Sequence, residues 1–190
     1  MMGAHGRWEK MAPYEEAVRV PLFLRWPGHI KPGSTSDALV TPMDLMPTLL
    51  ALAGVRQPAH KIDGIDLSAQ VLGKTGGARE RDAVLMANYS SHWDYFHSEW
   101  PWPEWRAVRT KQHTYVKWYA GREELYDNVV DPYQMRDLSK SDKPTLERLR
   151  VKLAELLKEA HDDFRPGHGY AEWFDNERNV RRTALGPVTR

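Results

Sequence analysis

Leu146, Leu149, Leu153, Leu156, Leu157, Ala160 and Phe164 recur at spacings of three and four, the period that lines apolar side chains along one stripe of an α-helix. The other face of residues 145–164 carries Glu147, Arg148, Lys152, Glu155, Lys158 and Glu159, an ordinary solvated surface. Such a helix needs a partner layer that buries its stripe. The preceding stretches read as that layer. Ala83-Val84-Leu85-Met86-Ala87 is an apolar run, and Arg106-Ala107-Val108-Arg109-Thr110 alternates like a half-buried strand. His113 to Tyr119 alternates again, with Tyr115, Lys117 and Tyr119 on one face and Val116 and Trp118 on the other. Glu124-Leu125-Tyr126-Asp127 completes a meander, so this part of the chain predicts antiparallel strands with one packed helix, an α+β subdomain.

Upstream the texture differs. Val20-Pro21-Leu22-Phe23-Leu24-Arg25-Trp26 is a short apolar run closed by Pro27-Gly28, which predicts a buried strand and a turn. Thr41-Pro42-Met43-Asp44 predicts a helix start: Thr41 caps, Pro42 suits the first helical position, and Asp44 follows three residues after the cap. Leu45, Leu49, Ala51 and Leu52 give that helix its apolar contacts, and Gly54 ends it. Asp63-Gly64 marks a turn before a short amphipathic helix around 67–72, and residues 73–78 have linker composition. The predicted organisation is an incomplete segment over 1–77, the α+β subdomain over 78–165, and a polar tail over 166–190. The first segment lacks partners for a core of its own and would leave an unpaired sheet edge.

Cysteine is absent, which excludes a disulfide framework, a thiolate zinc site and a cysteine nucleophile. The net charge of +1, from 27 basic and 26 acidic residues, gives no electrostatic basis for nucleic acid as a partner. No apolar run approaches a membrane span and the N-terminus is not a signal peptide, so the compartment stays open.

Among residues able to carry chemistry, Lys10 stands out. It follows the glycine-framed loop Gly3-Ala4-His5-Gly6 and neighbours Trp8, where an ammonium can meet an anionic oxygen as charge develops on it. The plainer alternative is a surface lysine. His5 in the same loop can donate a hydrogen bond, ligate a metal or simply structure the loop. Trp93, Tyr95, Phe96, Trp100, Trp102 and Trp105, rimmed by Asp94, Glu99 and Glu104, offer faces for stacking on sugar rings or a loop folded over the subdomain core. His92 and His97 are five apart, which fits no common zinc spacing. His161-Asp162-Asp163 is metal-like only superficially, since charged residues at a helix end normally face water. Glu15-Glu16 and Glu123-Glu124 read as capping or salt-bridging carboxylates, because adjacent residues share no face. Gly73-Lys74-Thr75-Gly76-Gly77 fails the phosphate-loop pattern, its first glycine lying too close to the lysine.

These motifs resemble a known family. Gly3-Ala4-His5-Gly6-Arg7-Trp8-Glu9-Lys10, followed by Tyr14-Glu15-Glu16-Ala17-Val18-Arg19-Val20-Pro21-Leu22, is similar to a characteristic stretch of type I sulfatases. Thr41 to Leu50 is similar to that family's next helix, and Asp63-Gly64-Ile65-Asp66-Leu67 to the segment after it. Arg106 to Thr110, Tyr115, Glu124-Leu125-Tyr126-Asp127 and Asp131-Pro132-Tyr133 resemble the sulfatase C-terminal subdomain. The resemblance implies an α/β, alkaline-phosphatase-like fold with a smaller α+β subdomain. It also implies hydrolysis of sulfate esters by a formylglycine, with calcium expected for the complete enzyme. Lys10 lies where the family has a lysine that contacts the sulfate group. His5, Trp93, His97 and Trp102 are the expected substrate-binding residues, and a sulfate ester or sulfated sugar is the implied substrate class.

The departures are equally specific. There is no Cys- or Ser-x-Pro-x-Arg, and the aspartates expected to bind calcium are missing, so none is expected to be bound by this chain alone. The chain thus looks like the C-terminal part of a sulfatase, beginning at an internal Met-Met and inactive alone. Two other readings compete: a non-catalytic module binding sulfated glycans, and a subunit completing a separately encoded N-terminal half.

Overall fold

The computed structural model describes residues 1–7, 10–74, 80–89, 104–166, 173–177, 179–183 and 186–188. They form two compact units, one made of Met1–Val20 with Leu85–Arg190, the other of Pro21–Val84.

A four-stranded sheet has the order β1-β2-β3-β4, with β1 Ala83–Asn88, β2 Trp105–Thr110, β3 His113–Trp118 and β4 Glu123–Asp127, and from Leu85 onward it belongs to the first unit. Strands β2 and β3 run antiparallel with Trp105 opposite Trp118 and Val108 opposite Tyr115, and β3 pairs antiparallel with β4, Val116 opposite Glu124. This meander is the one the alternation predicts, but the sheet is buried on both sides. Thr114, Tyr115 and Val116 are fully buried, and within β3 only Lys117 is exposed. Tyr119 lies past the strand end, half-exposed.

The long helix α4, Lys143–Glu159, covers one face. Asp142 caps it by accepting from the Thr145 N–H at 3.1 Å, and Leu146, Leu149 and Leu153 are its buried stripe. The helix stops short of the predicted 164. His161 turns left-handed at φ 54°, and the Asp162 N–H returns to the Leu157 carbonyl at 2.9 Å, closing the last turn. Its Arg150 reaches back to Glu123, which also accepts from Tyr115.

The N-terminal segment covers the opposite face. Trp105, Ala107, Val116 and Trp118 form one buried cluster there, and Ala12, Tyr14 and Tyr126 form another. A short helix, α1, Glu15–Val18, follows Tyr14. Near the C-terminus, Arg182–Thr183 pairs antiparallel with Gly186–Pro187 and Phe174 bridges Val180, more order than polar composition suggests.

The second unit is organised by Asp44. The Thr41 N–H donates to Asp44 Oδ2 at 2.7 Å, forming the predicted capping box ahead of a 3-10 turn, Pro42–Asp44, and helix α2, Leu45–Leu52. Asp44 also accepts from the Ile65 N–H at 2.8 Å and from both terminal nitrogens of Arg81, at 2.6 and 2.9 Å. Thr48 Oγ1 accepts from the Leu67 N–H at 3.0 Å, just before helix α3, Ser68–Val71. Gly54, at φ +67°, ends α2 as expected.

The buried strand predicted upstream is absent. Residues 20–26 form no strand, and Val20 and Phe23 are 70% and 90% exposed. A strand requires neighbours for its backbone N–H and C=O groups, and the described residues supply no ladder partner for this run. Among the described residues, no helix is long and apolar enough to cross a membrane.

Candidate functional site

The loop that carries Lys10 is shaped by its own backbone and then fastened to the sheet. Gly3, His5 and Gly6 adopt positive φ of 99°, 53° and 66°, a curvature glycine takes at little cost. The Gly3 N–H donates to the Arg7 carbonyl at 2.8 Å and the Arg7 N–H to the Ala4 carbonyl at 2.9 Å, closing the loop on itself. His5 stacks on Tyr14 with ring centroids 4.0 Å apart and planes within 9°. Its Nε2 stands 3.5 Å from Glu16 Oε2, and the side chain is largely buried.

Downstream of Lys10 the attachment is side chain to backbone. The Trp105 indole N–H donates to the Met11 carbonyl at 2.8 Å, and Ala12 is fully buried. Tyr14 Oη donates to Glu124 Oε2 at 3.4 Å. Glu15 receives Arg109 through two nitrogens at 2.7 and 3.2 Å, and its own N–H donates to Gln134 Oε1 at 2.8 Å. Gln134, itself 1% exposed, donates onward to Asn128 Oδ1, which also accepts from Thr114. Lys10 itself is exposed, immediately before this clamped stretch. The chemistry available is a solvent-facing ammonium on a backbone fastened to the sheet just downstream.

Lys10 and His5 therefore lie on one loop, Lys10 outward and His5 packed on Tyr14. Trp93, His97 and Trp102 lie outside the described residues. Three of the paired carboxylates salt-bridge as anticipated, Glu15 to Arg109, Glu123 to Arg150 and Glu124 to Arg122, while Glu16 lies beside the His5 ring. The reading of Asp162 as a water-facing residue is corrected: it is buried and pairs with Arg106. Trp105, Arg109 and Gln134 were not predicted as parts of the loop's support. No local pattern announces contacts between positions about a hundred residues apart. Among the described residues no group of three or more His, Asp or Glu side chains converges as a metal site requires, so the calcium implied by the resemblance finds no fit in them.

Known proteins give this arrangement a context. The family described as "N-sulphoglucosamine sulphohydrolase, C-terminal" matches residues 3–163. The "Ulvan-active sulfatase" of Formosa agariphila is 33% identical over 180 residues, 92% of this chain but 34% of that protein. The "N-acetylglucosamine-6-O-sulfatase" of Bacteroides thetaiotaomicron is 29% identical over 97% of this chain and 30% of its own length. A solved structure in complex with "its substrate D-Glucosamine-2-N, 6-O-disulfate" superposes with a TM-score of 0.67 at 29% identity, covering 85% of this chain and 32% of the other. The chain thus spans about one third of the relatives it matches. It belongs to the sulfatase family whose C-terminal region is named for N-sulphoglucosamine sulphohydrolase.

Proposed function

We propose that this chain is the C-terminal part of a sulfatase, contributing Lys10 to a site that hydrolyses sulfuric esters of sugars. The observation that carries the reading is the clamped loop: Lys10 stands exposed directly before a stretch fixed by Trp105, Glu124, Arg109 and Gln134. An ammonium held this way stabilises charge on a sulfate oxygen as the S–O bond breaks, without reorganising first. His5 supports the same loop from within. The aromatic stretch with Trp93, His97 and Trp102 is the proposed sugar-facing wall, and sulfated sugars are named for two of the similar proteins.

The nucleophile and calcium ligands belong, in this reading, to an N-terminal portion that residues 1–77 complete. The exposed run from Val20 to Leu24 supports it, being apolar on both alternating sides as in a strand flanked by neighbours. The test is 4-nitrophenyl sulfate turnover by the chain alone and by the chain joined to the N-terminal portion of a related sulfatase. No turnover is expected alone. In the joined protein Lys10→Ala should lower kcat by ~10²–10³. An unchanged kcat would overturn the role of Lys10.

A further inference from the structure

Two tryptophans face each other across β2 and β3, and they differ in one respect. Trp105 and Trp118 are direct cross-strand partners in the same buried cluster, 3% and 2% exposed. The Trp105 indole N–H donates to the Met11 carbonyl at 2.8 Å, whereas the Trp118 indole N–H is buried with no hydrogen-bond partner among the described residues. The first contact lies one residue beyond Lys10, over a sequence separation of 94. It reaches a backbone acceptor that the loop's own turn, closed between Gly3 and Arg7, does not use.

We propose that Trp105 is a positioning residue for Lys10: its indole N–H anchors the Met11 carbonyl and so fixes where the Lys10 ammonium sits. This deepens the reading above and rests on it. The physical argument is one of leverage. Lys10 has a long side chain with several rotatable bonds, so the position of its ammonium depends on where its own backbone is held, and the upstream turn's hydrogen bonds run between Gly3 and Arg7, short of Lys10. Burying Ala12 and Tyr14 holds the segment against the sheet, but apolar contact alone is non-directional. A hydrogen bond has a preferred length and angle, so it selects one backbone position where packing permits several. The neighbouring Glu15–Arg109 pair fixes the segment farther on, which leaves the Met11 carbonyl, among the described residues, as the directional anchor nearest Lys10.

The experiment compares Trp105→Phe with Trp118→Phe. Both remove similar apolar bulk from the same cluster, but only the first breaks a hydrogen bond. In the chain itself, the readout is trypsin cleavage of the Lys10–Met11 bond, followed by mass spectrometry. Trp105→Phe should speed that cleavage about fivefold, as the loss of one neutral hydrogen bond allows, with Trp118→Phe unchanged. Equal rates in the two variants would overturn the proposal. If Trp105→Phe fails to fold, replacement of Trp105 by benzothienylalanine keeps the shape, removes the N–H and gives the same comparison.

In the joined, active protein, Trp105→Phe should lower kcat, by up to ~10²-fold for a displacement near 1 Å, with a smaller change in KM. In a Lys10→Ala background it should then have no further effect. A full additional loss there would show that Trp105 acts other than through Lys10 and would overturn the positioning role. If instead Lys10→Ala leaves kcat unchanged, the functional reading fails while the trypsin comparison still decides whether the anchor exists.

Discussion

Asp162 Oδ2 sits 2.5 Å from Arg106 Nε, and both side chains are buried. The guanidinium of Arg106 also lies 3.9 Å from the Tyr89 ring centroid and 4.7 Å from that of Phe164. Tyr89 Oη and the Phe164 N–H donate to the same carboxylate at 2.8 and 2.7 Å. Burial pushes the Asp162 pKa up, but the bonds from Arg106, Tyr89 and Phe164 outweigh it and hold the group below 3.8.

Removing the carboxylate strands a buried cation. Asp162→Ala should therefore cost about 3–5 kcal/mol, read as a lower urea midpoint with the slope retained. Asp162→Asn, which keeps a hydrogen-bond acceptor, should cost less. Equal stability of Asp162→Ala and the parent would mean that the pair does not close the end of α4.

His113 sets an acid limit. Desolvation lowers its pKa below 6.5, opposed by Asp127 and Asp142 and reinforced by Arg148. The folded state therefore binds this proton less readily than the unfolded chain. The stability from neutral His113 is complete above 6.5 and is lost as pH falls from there through the lowered folded value. Asp162, another group with a depressed pKa, loses its contribution only below 3.8. His113→Gln should flatten the decline in Tm just below pH 6.5, and thermal melts across that range check it.

Gly64 is required for space. A Cβ added there would stand 1.9 Å from the Met43 carbonyl oxygen and 2.5 Å from its carbon, both backbone atoms that cannot rotate away. The Ile65 N–H beside it donates to Asp44. Gly64→Ala should cost about 1–3 kcal/mol by forcing the backbone apart, measured by urea unfolding. A neutral result would mean the turn relaxes freely.

Phe23 is 90% exposed within a run that includes Leu22 at 48% and Val20 at 70%. A contiguous exposed apolar run favours association. Phe23→Asp should weaken self-association of the isolated chain roughly ten- to a hundredfold, as about 1.5–3 kcal/mol for burying one such side chain implies. Sedimentation at rising concentration is the check.

Local chemistry accounts for much of what the sequence reveals. The apolar stripe of α4, the capping box from Thr41 to Asp44, the break at Gly54 and the alternation of β2 and β3 each depend on residues within a few positions of one another. The end of α4 was less legible, because His161 must turn left-handed for Asp162 to meet Arg106, 56 residues away. Lys10 was legible as a candidate through its loop and its resemblance to sulfatases. Its support was not, because a tryptophan in β2, an arginine in β2 and a glutamine after β4 reach Met11 and Glu15 only once the sheet has assembled. The run at 20–26 divides the two levels most clearly. Its composition specifies a strand, but a strand forms only where a neighbouring strand satisfies its backbone, and none of the described residues pairs with it in a ladder. Composition and short-range spacing thus determined the helices, the turns and the meander. Tertiary structure alone decided which side chains hold the Lys10 loop, because hydrogen bonds between distant residues depend on packing geometry that no local pattern encodes.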